Sequence, residues 1–154
     1  MLKYVDTAVT FAEVPYEISL CINFSNCPCH CHGCHSSYLA EDIGKELSIH
    51  FLTEQLIPSN YGISCVCLMG GDINPIDINS YAAAIKKANP SLKVAWYSGR
   101  DELSPAINIS NFDFIKIGHY NELLGPLQSP STNQRFYMVD NTGQLIDKTI
   151  AFQN

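Results

Sequence analysis

Basic residues are scarce in this chain. Nine Lys and Arg stand against fifteen Asp and Glu over 154 residues, a formal net charge of −6, and no stretch gathers the basic ones into a cluster. Nucleic acids and anionic membrane surfaces are recognised through concentrated positive charge, so neither is expected as a partner. Long apolar runs are missing as well: nothing approaches the roughly 18–20 residues that cross a bilayer. Met1 to Phe11 has neither the basic patch nor the apolar stretch of a secretory signal, which makes a cytoplasmic protein the expectation. With no internal repeat, low-complexity tract or interdomain linker, residues 1–154 read as a single domain. A domain of this size buries roughly two-thirds of its unfolded surface and needs no disulfide or metal scaffold for stability.

Cysteine, by contrast, is plentiful. There are seven, and five of them crowd between Cys21 and Cys34. A reducing compartment does not sustain structural disulfides, and an odd, clustered set points to metal or redox chemistry.

The pattern along the chain places that cluster. Glu17 to Phe24 alternates Ile18, Leu20, Ile22 and Phe24 with Ser19, Cys21 and Asn23, the period of two that a strand requires. This strand leads straight into the cysteines. After Ser48, a suitable N-cap, Ile49, Leu52 and Leu56 share a helical face before Pro58 and Gly62. Ile63 to Met69 is a nearly continuous apolar run ending at Gly70 and Gly71, as a central parallel strand buried on both faces would be. Asn74 and Pro75 suit a cap and first helical position, and Ile78, Tyr81, Ala82 and Ile85 keep helical spacing until Asn89 and Pro90.

Two further strands are expected at Leu92 to Tyr97 and Phe112 to Ile117, ending at Ser98-Gly99 and at Gly118. Arg135 to Val139 and Leu145 to Thr149 flank the turn-forming run Asp140 to Gly143 as a hairpin. Alternating strands and helices imply parallel βα units. A complete eight-stranded α/β barrel needs about 200 residues or more, so four or five units leave an open, partial barrel or a wound sheet. In either form the ligand site lies at the carboxyl ends of the strands. Those ends carry the cysteine cluster, Gly70-Gly71-Asp72, Ser98-Gly99 and Gly118-His119.

Within Cys27-Pro28-Cys29-His30-Cys31-His32-Gly33-Cys34, only Cys27, Cys31 and Cys34 satisfy a CxxxCxxC spacing. Closely spaced thiolates on one loop hold cubane iron–sulfur clusters, and four of them give a closed electron-transfer centre. Three leave one iron open to a substrate. S-adenosylmethionine requires such a position if an electron is to enter its sulfonium and break a carbon–sulfur bond. Cys29, His30, His32 and His35 add donors that a zinc site would use as well. Zinc usually takes two separated ligand pairs, and the distant Cys65 and Cys67 alternate in an apolar strand as small hydrophobes do. Cys21 has the same reading, and Cys29 has no assigned role.

The sequence resembles the radical S-adenosylmethionine superfamily, and within it the anaerobic ribonucleoside-triphosphate reductase activating proteins. The resemblance rests on the cysteine triplet with Gly33 before its last member, on Met69-Gly70-Gly71-Asp72 and on Trp96-Tyr97-Ser98-Gly99. It extends to Leu124-Gly125-Pro126-Leu127 and Ser131-Thr132-Asn133-Gln134-Arg135. It implies an open βα barrel of the radical type with the C-terminal β-hairpin appended. Cys27, Cys31 and Cys34 would then ligate a [4Fe-4S] cluster, Gly70, Gly71 and Asp72 would meet the amino group of S-adenosylmethionine, and Ser98 would meet its ribose. The implied reaction is reductive cleavage to methionine and a 5′-deoxyadenosyl radical that takes a glycine Cα hydrogen from a partner enzyme. The implied partners are a glycyl radical enzyme, foremost anaerobic ribonucleoside-triphosphate reductase, and an electron donor such as flavodoxin or ferredoxin.

Two positions depart from the pattern. Asp72 stands where Glu is more usual, one methylene shorter, and His35 follows the third cysteine where Asn or a similar residue is usual. An activase for another glycyl radical enzyme and a non-catalytic Cys/His zinc module are the alternatives. Lys116 lies in an apolar strand, where an ammonium must find a carboxylate, a ligand or solvent. His119 reads as a solvated or structural loop residue. Asn133, Gln134 and Arg135 either meet a partner or brace the final hairpin.

Overall fold

The computed structural model describes residues 1–153. Eight strands form one mixed sheet: β1 (Lys3–Thr10), β2 (Ser19–Phe24), β3 (Lys45–Glu46), β4 (Cys65–Met69), β5 (Lys93–Tyr97), β6 (Phe114–Ile117), β7 (Arg135–Val139) and β8 (Leu145–Asp147). Their spatial order is β3-β1-β2-β4-β5-β6-β7-β8. The four central strands β2, β4, β5 and β6 run parallel, and the flanking pairings are antiparallel. Cys21 pairs in register with Cys67, and Cys67 with Ala95. The chain is therefore a mixed α/β domain with a parallel centre and a C-terminal hairpin.

Helix is sparser than the alternation implies, and four or five βα units are not built. One α-helical turn, α1 (Ile49–Phe51), continues into wide π-type turns over Leu52–Leu56, where the Ile57 amide donates to the Leu52 carbonyl at 3.0 Å. Ser48 caps it by accepting from the Phe51 amide. The long helix is α2 (Pro75–Ala88), with Asn74 as N-cap accepting from the Asp77 amide and Pro75 in its first turn. The crossover from β5 to β6 holds only a 3-10 turn, Ile109–Asn111. Ser104, Pro105 and Asn108 interrupt any helical period there, and the Asn108 side chain caps a turn instead.

Two elements lacked a sequence signal. β1 is half-exposed along both faces, so it carries no apolar alternation; its antiparallel pairing with β2 over residues 4–10 defines it. β3 is two residues long and exposed.

The period of two divides the sheet's side chains between two faces. Leu20, Ile22, Val66, Leu68, Val94, Trp96 and Ile115 pack on Ile78, Tyr81, Ala82 and Ile85 of α2 in the larger core. Each such large buried side chain contributes roughly 1.5–3 kcal/mol. The opposite face carries Cys21, Cys65, Cys67, Ala95, Tyr97 and Phe136, and loop residues Val14 and Leu127 cover it. Cys21, Cys65 and Cys67 are buried there as small apolar residues. The Tyr97 hydroxyl donates to the Glu13 carbonyl at 2.6 Å and fastens that loop. Among the described residues, no helix is long and apolar enough to cross a membrane.

Candidate active site

Because β2, β4, β5 and β6 are parallel, their carboxyl ends bring four loops to one edge: Ser25–His35, Gly70–Asn74, Ser98–Arg100 and Gly118–Glu122. The cysteine loop is tied at its entry. The Asn26 and Cys27 amides donate to the Glu41 and Leu39 carbonyls, and the Asn26 carboxamide donates to Asp42. Asn26 and His30 both adopt left-handed backbone, φ 59° and 47°, a conformation in which Asn and His are over-represented among non-glycine residues. His30 thereby reverses the chain between Cys29 and Cys31.

The loop cysteines line two neighbouring cavities. Cys27, Cys31 and Cys34 line one cavity of about 200 Å³ together with His30, Ser36, Ser37 and Ala40. Cys29 does not line it; with Cys31 it lines a second cavity beside Glu122, and its thiol is in hydrogen-bonding contact with Cys27. Its Sγ lies 3.9 Å from Asp72 Oδ2, and burial, aided by the Asp72 charge, pushes its thiol up to about 12.

Asp72 is buried and engaged on both oxygens. Oδ1 accepts from the Ser98 hydroxyl at 2.5 Å, and Oδ2 from the Gly99 amide at 2.9 Å. The Ser98 oxygen also accepts from the Arg100 amide. The two side chains expected to meet a substrate thus hold each other. Gly70 and Gly71 take φ of 88° and 80°. A Cβ on Gly71 would stand 2.5 Å from Ile78 Cδ1, so the strand end turns beneath α2 only without a side chain. The Trp96 indole donates to the Gly70 carbonyl at 2.7 Å.

Lys116 finds backbone rather than a carboxylate: its ammonium donates to the Ser98 and Gly118 carbonyls at 3.1 and 2.9 Å. Burial lowers its pKa, while Asp72 and then Cys31, Cys29 and Cys34 pull it back upward. A lysine has three donors, so one remains beyond those two carbonyls.

No protein-family model matches this chain, and no curated protein or solved structure matches it. The donor set, three thiols around one cavity, fits a cluster held by three thiolates. Among the described residues, no three His, Cys, Asp or Glu side chains converge closely enough to hold a single ion. Nearby, Asn133 Oδ1 is buried with no hydrogen-bond partner among the described residues, while its amide donates to the His119 carbonyl. Asp72, Trp96, Ser98, Arg100 and Leu103 line an adjoining cavity of about 630 Å³, large enough for a nucleoside-sized ligand.

Other contacts escaped sequence reasoning. Glu122 lies over Gly33, where a Cβ would meet its carboxylate at 2.5 Å, and it pairs with His32 at 3.2 Å. The His35 and Tyr120 rings are 5.9 Å apart. The His119 ring is 2.7 Å from Asp101, and that hydrogen bond holds the Asp101 carboxyl below its ordinary value. The glycine at position 33 was the one signal for Glu122, and it names no partner. Arg135 donates to the Thr132 carbonyl and faces Asp147, bracing the hairpin.

Proposed function

We propose that this protein is a radical S-adenosylmethionine enzyme on an open partial barrel, an activase that abstracts a glycine Cα hydrogen from anaerobic ribonucleoside-triphosphate reductase. One observation carries the reading: the three cysteines of the CxxxCxxC triplet share a cavity at the strand ends, and the fourth cysteine of the loop is turned out of it. When bound, a [4Fe-4S] cluster supplies the electron that cleaves S-adenosylmethionine and so generates the hydrogen-abstracting radical.

The chain's own residues do the rest. Cys27, Cys31 and Cys34 hold the cluster. With both Asp72 oxygens engaged, the Gly70 and Gly71 carbonyls, each with a second lone pair, are left to accept from the substrate's amino group. Asp72 and Ser98 keep that strand end rigid. The free donor of Lys116 lies on the same edge, and the wall formed by Trp96 and Leu103 has the apolar character that excludes water around an adenosyl group. The exposed loops at this edge suit the entry of a polypeptide loop carrying the target glycine, and flavodoxin or ferredoxin is the proposed electron donor.

Anaerobic reconstitution with iron and sulfide tests the proposal. A broad visible absorbance that dithionite bleaches, with 5′-deoxyadenosine released on adding S-adenosylmethionine, is expected from the parent protein. Alanine at Cys27, Cys31 or Cys34 should reduce that release to background. Stoichiometric zinc without deoxyadenosine would replace the enzyme with a metal-binding module. Deoxyadenosine formed without a glycyl radical on the reductase would select another partner.

A further inference from the structure

Cys29 and Gly99 explain each other. A Cβ on Gly99 would stand 2.9 Å from Cys29 Sγ and 3.4 Å from Cys29 Cβ, closer than a side chain tolerates against sulfur. Eight other glycines of the chain have positive φ, and Gly99 does not. With no left-handed backbone to explain glycine there, the close thiol does: any side chain at this position would have to displace the Cys29 sulfur. The Gly99 amide donates to the same Asp72 oxygen that the thiol faces. One contact therefore joins the loop after β2 to those after β4 and β5. The left-handed turn at His30 then sends Cys31 back toward the shared cavity.

We infer that Cys29 seats the cysteine loop on the strand ends, as a positioning residue that orients Cys27, Cys31 and Cys34 without being a ligand itself. The inference rests on the proposed cluster for what the loop holds, while the seating is a property of the metal-free chain.

Four variants test it: Cys29→Ala, Cys29→Ser, Gly99→Ala and the double variant Cys29→Ala/Gly99→Ala. In the metal-free folded protein, alkylation followed by mass spectrometry reads the seating. Cys29 should react about tenfold more slowly in the parent than in Gly99→Ala, where the new methyl displaces its sulfur from the strand ends. In the reconstituted protein, the rate of iron loss to a chelator reads the consequence. Cys29→Ser keeps a donor toward Asp72 and should match the parent, while Gly99→Ala should lose iron about tenfold faster. The double variant should lose iron no faster than Cys29→Ala, because removing the sulfur makes room for the new methyl, and such non-additivity marks direct contact.

Iron uptake abolished in Cys29→Ala as completely as in Cys27→Ala would make Cys29 a ligand and overturn the inference. So would Cys29 remaining protected in Gly99→Ala, or additive effects in the double variant. If the parent takes up no iron, the proposed function fails, and the alkylation result still decides the seating.

Discussion

Asp72→Asn isolates the group on which the site's architecture converges. The buried carboxylate accepts from the Ser98 hydroxyl and the Gly99 amide, and the ammonium of Lys116 lies within its field. In the variant, the carboxamide oxygen can still accept from Gly99. Its NH2 then donates to the second lone pair of Ser98 Oγ, the first being used by the Arg100 amide, so a charged hydroxyl bond becomes a neutral one. Hydrogen bonds to a charged group contribute about 1.5–3 kcal/mol and neutral ones about 0.5–1.5. Two weakened bonds therefore cost about 2–3 kcal/mol. For a chain of this size that lowers the melting temperature by roughly 4–12 °C. Asp72→Ala leaves both donors without an acceptor, at roughly 1–3 kcal/mol each. Urea denaturation of the metal-free protein, with the m-value checked for constancy, measures both. An Asn variant within about 0.5 kcal/mol of the parent would refute the claim that the carboxylate braces the strand ends.

Gly71→Ala combines a left-handed backbone position with a Cβ 2.5 Å from Ile78 Cδ1; a loss of about 2–5 kcal/mol is expected by the same assay, and an unchanged denaturation midpoint would contradict it. Asp140 sits in the hairpin turn, where the Thr142 hydroxyl, followed by the Gln144 amide, holds its carboxyl below the ordinary 3.8. Its folded value is depressed, so its stabilisation is complete above pH 3.8 and fades as pH falls through the folded value. Asp140→Asn should therefore be less stable than the parent near neutrality and equal to it once the carboxyl is protonated in both states; a gap that persists unchanged in acid would refute this. Cys65 is fully buried, which pushes its thiol up to about 12, and Cys67 is raised by the same cause. Alkylation of the folded metal-free protein should leave both unmodified while Cys27, Cys31 and Cys34 react, and all seven should react in denaturant; comparable labelling of Cys65 in the fold would count against its burial.

Signals written in adjacent residues were legible from the chain alone. The alternation of Glu17 to Phe24, the caps Ser48 and Asn74, the apolar run before Gly70 and the turn at Asp140 to Gly143 each depend on neighbours a few positions away, and each element formed where its pattern lay. The CxxxCxxC spacing groups Cys27, Cys31 and Cys34, and these three line one cavity. Tertiary structure decided the rest, because those contacts join residues far apart in sequence. β1 exists through its partner rather than through its own pattern. Asp72 and Ser98 turned out to hold each other across 26 positions, and Lys116 reached two carbonyls instead of a carboxylate. Cys29 has the same side chain as its neighbours in the loop. Its surroundings differ: Asp72 and the bare backbone of Gly99, 70 residues further along the chain, face its sulfur, while Cys27, Cys31 and Cys34 line one cavity.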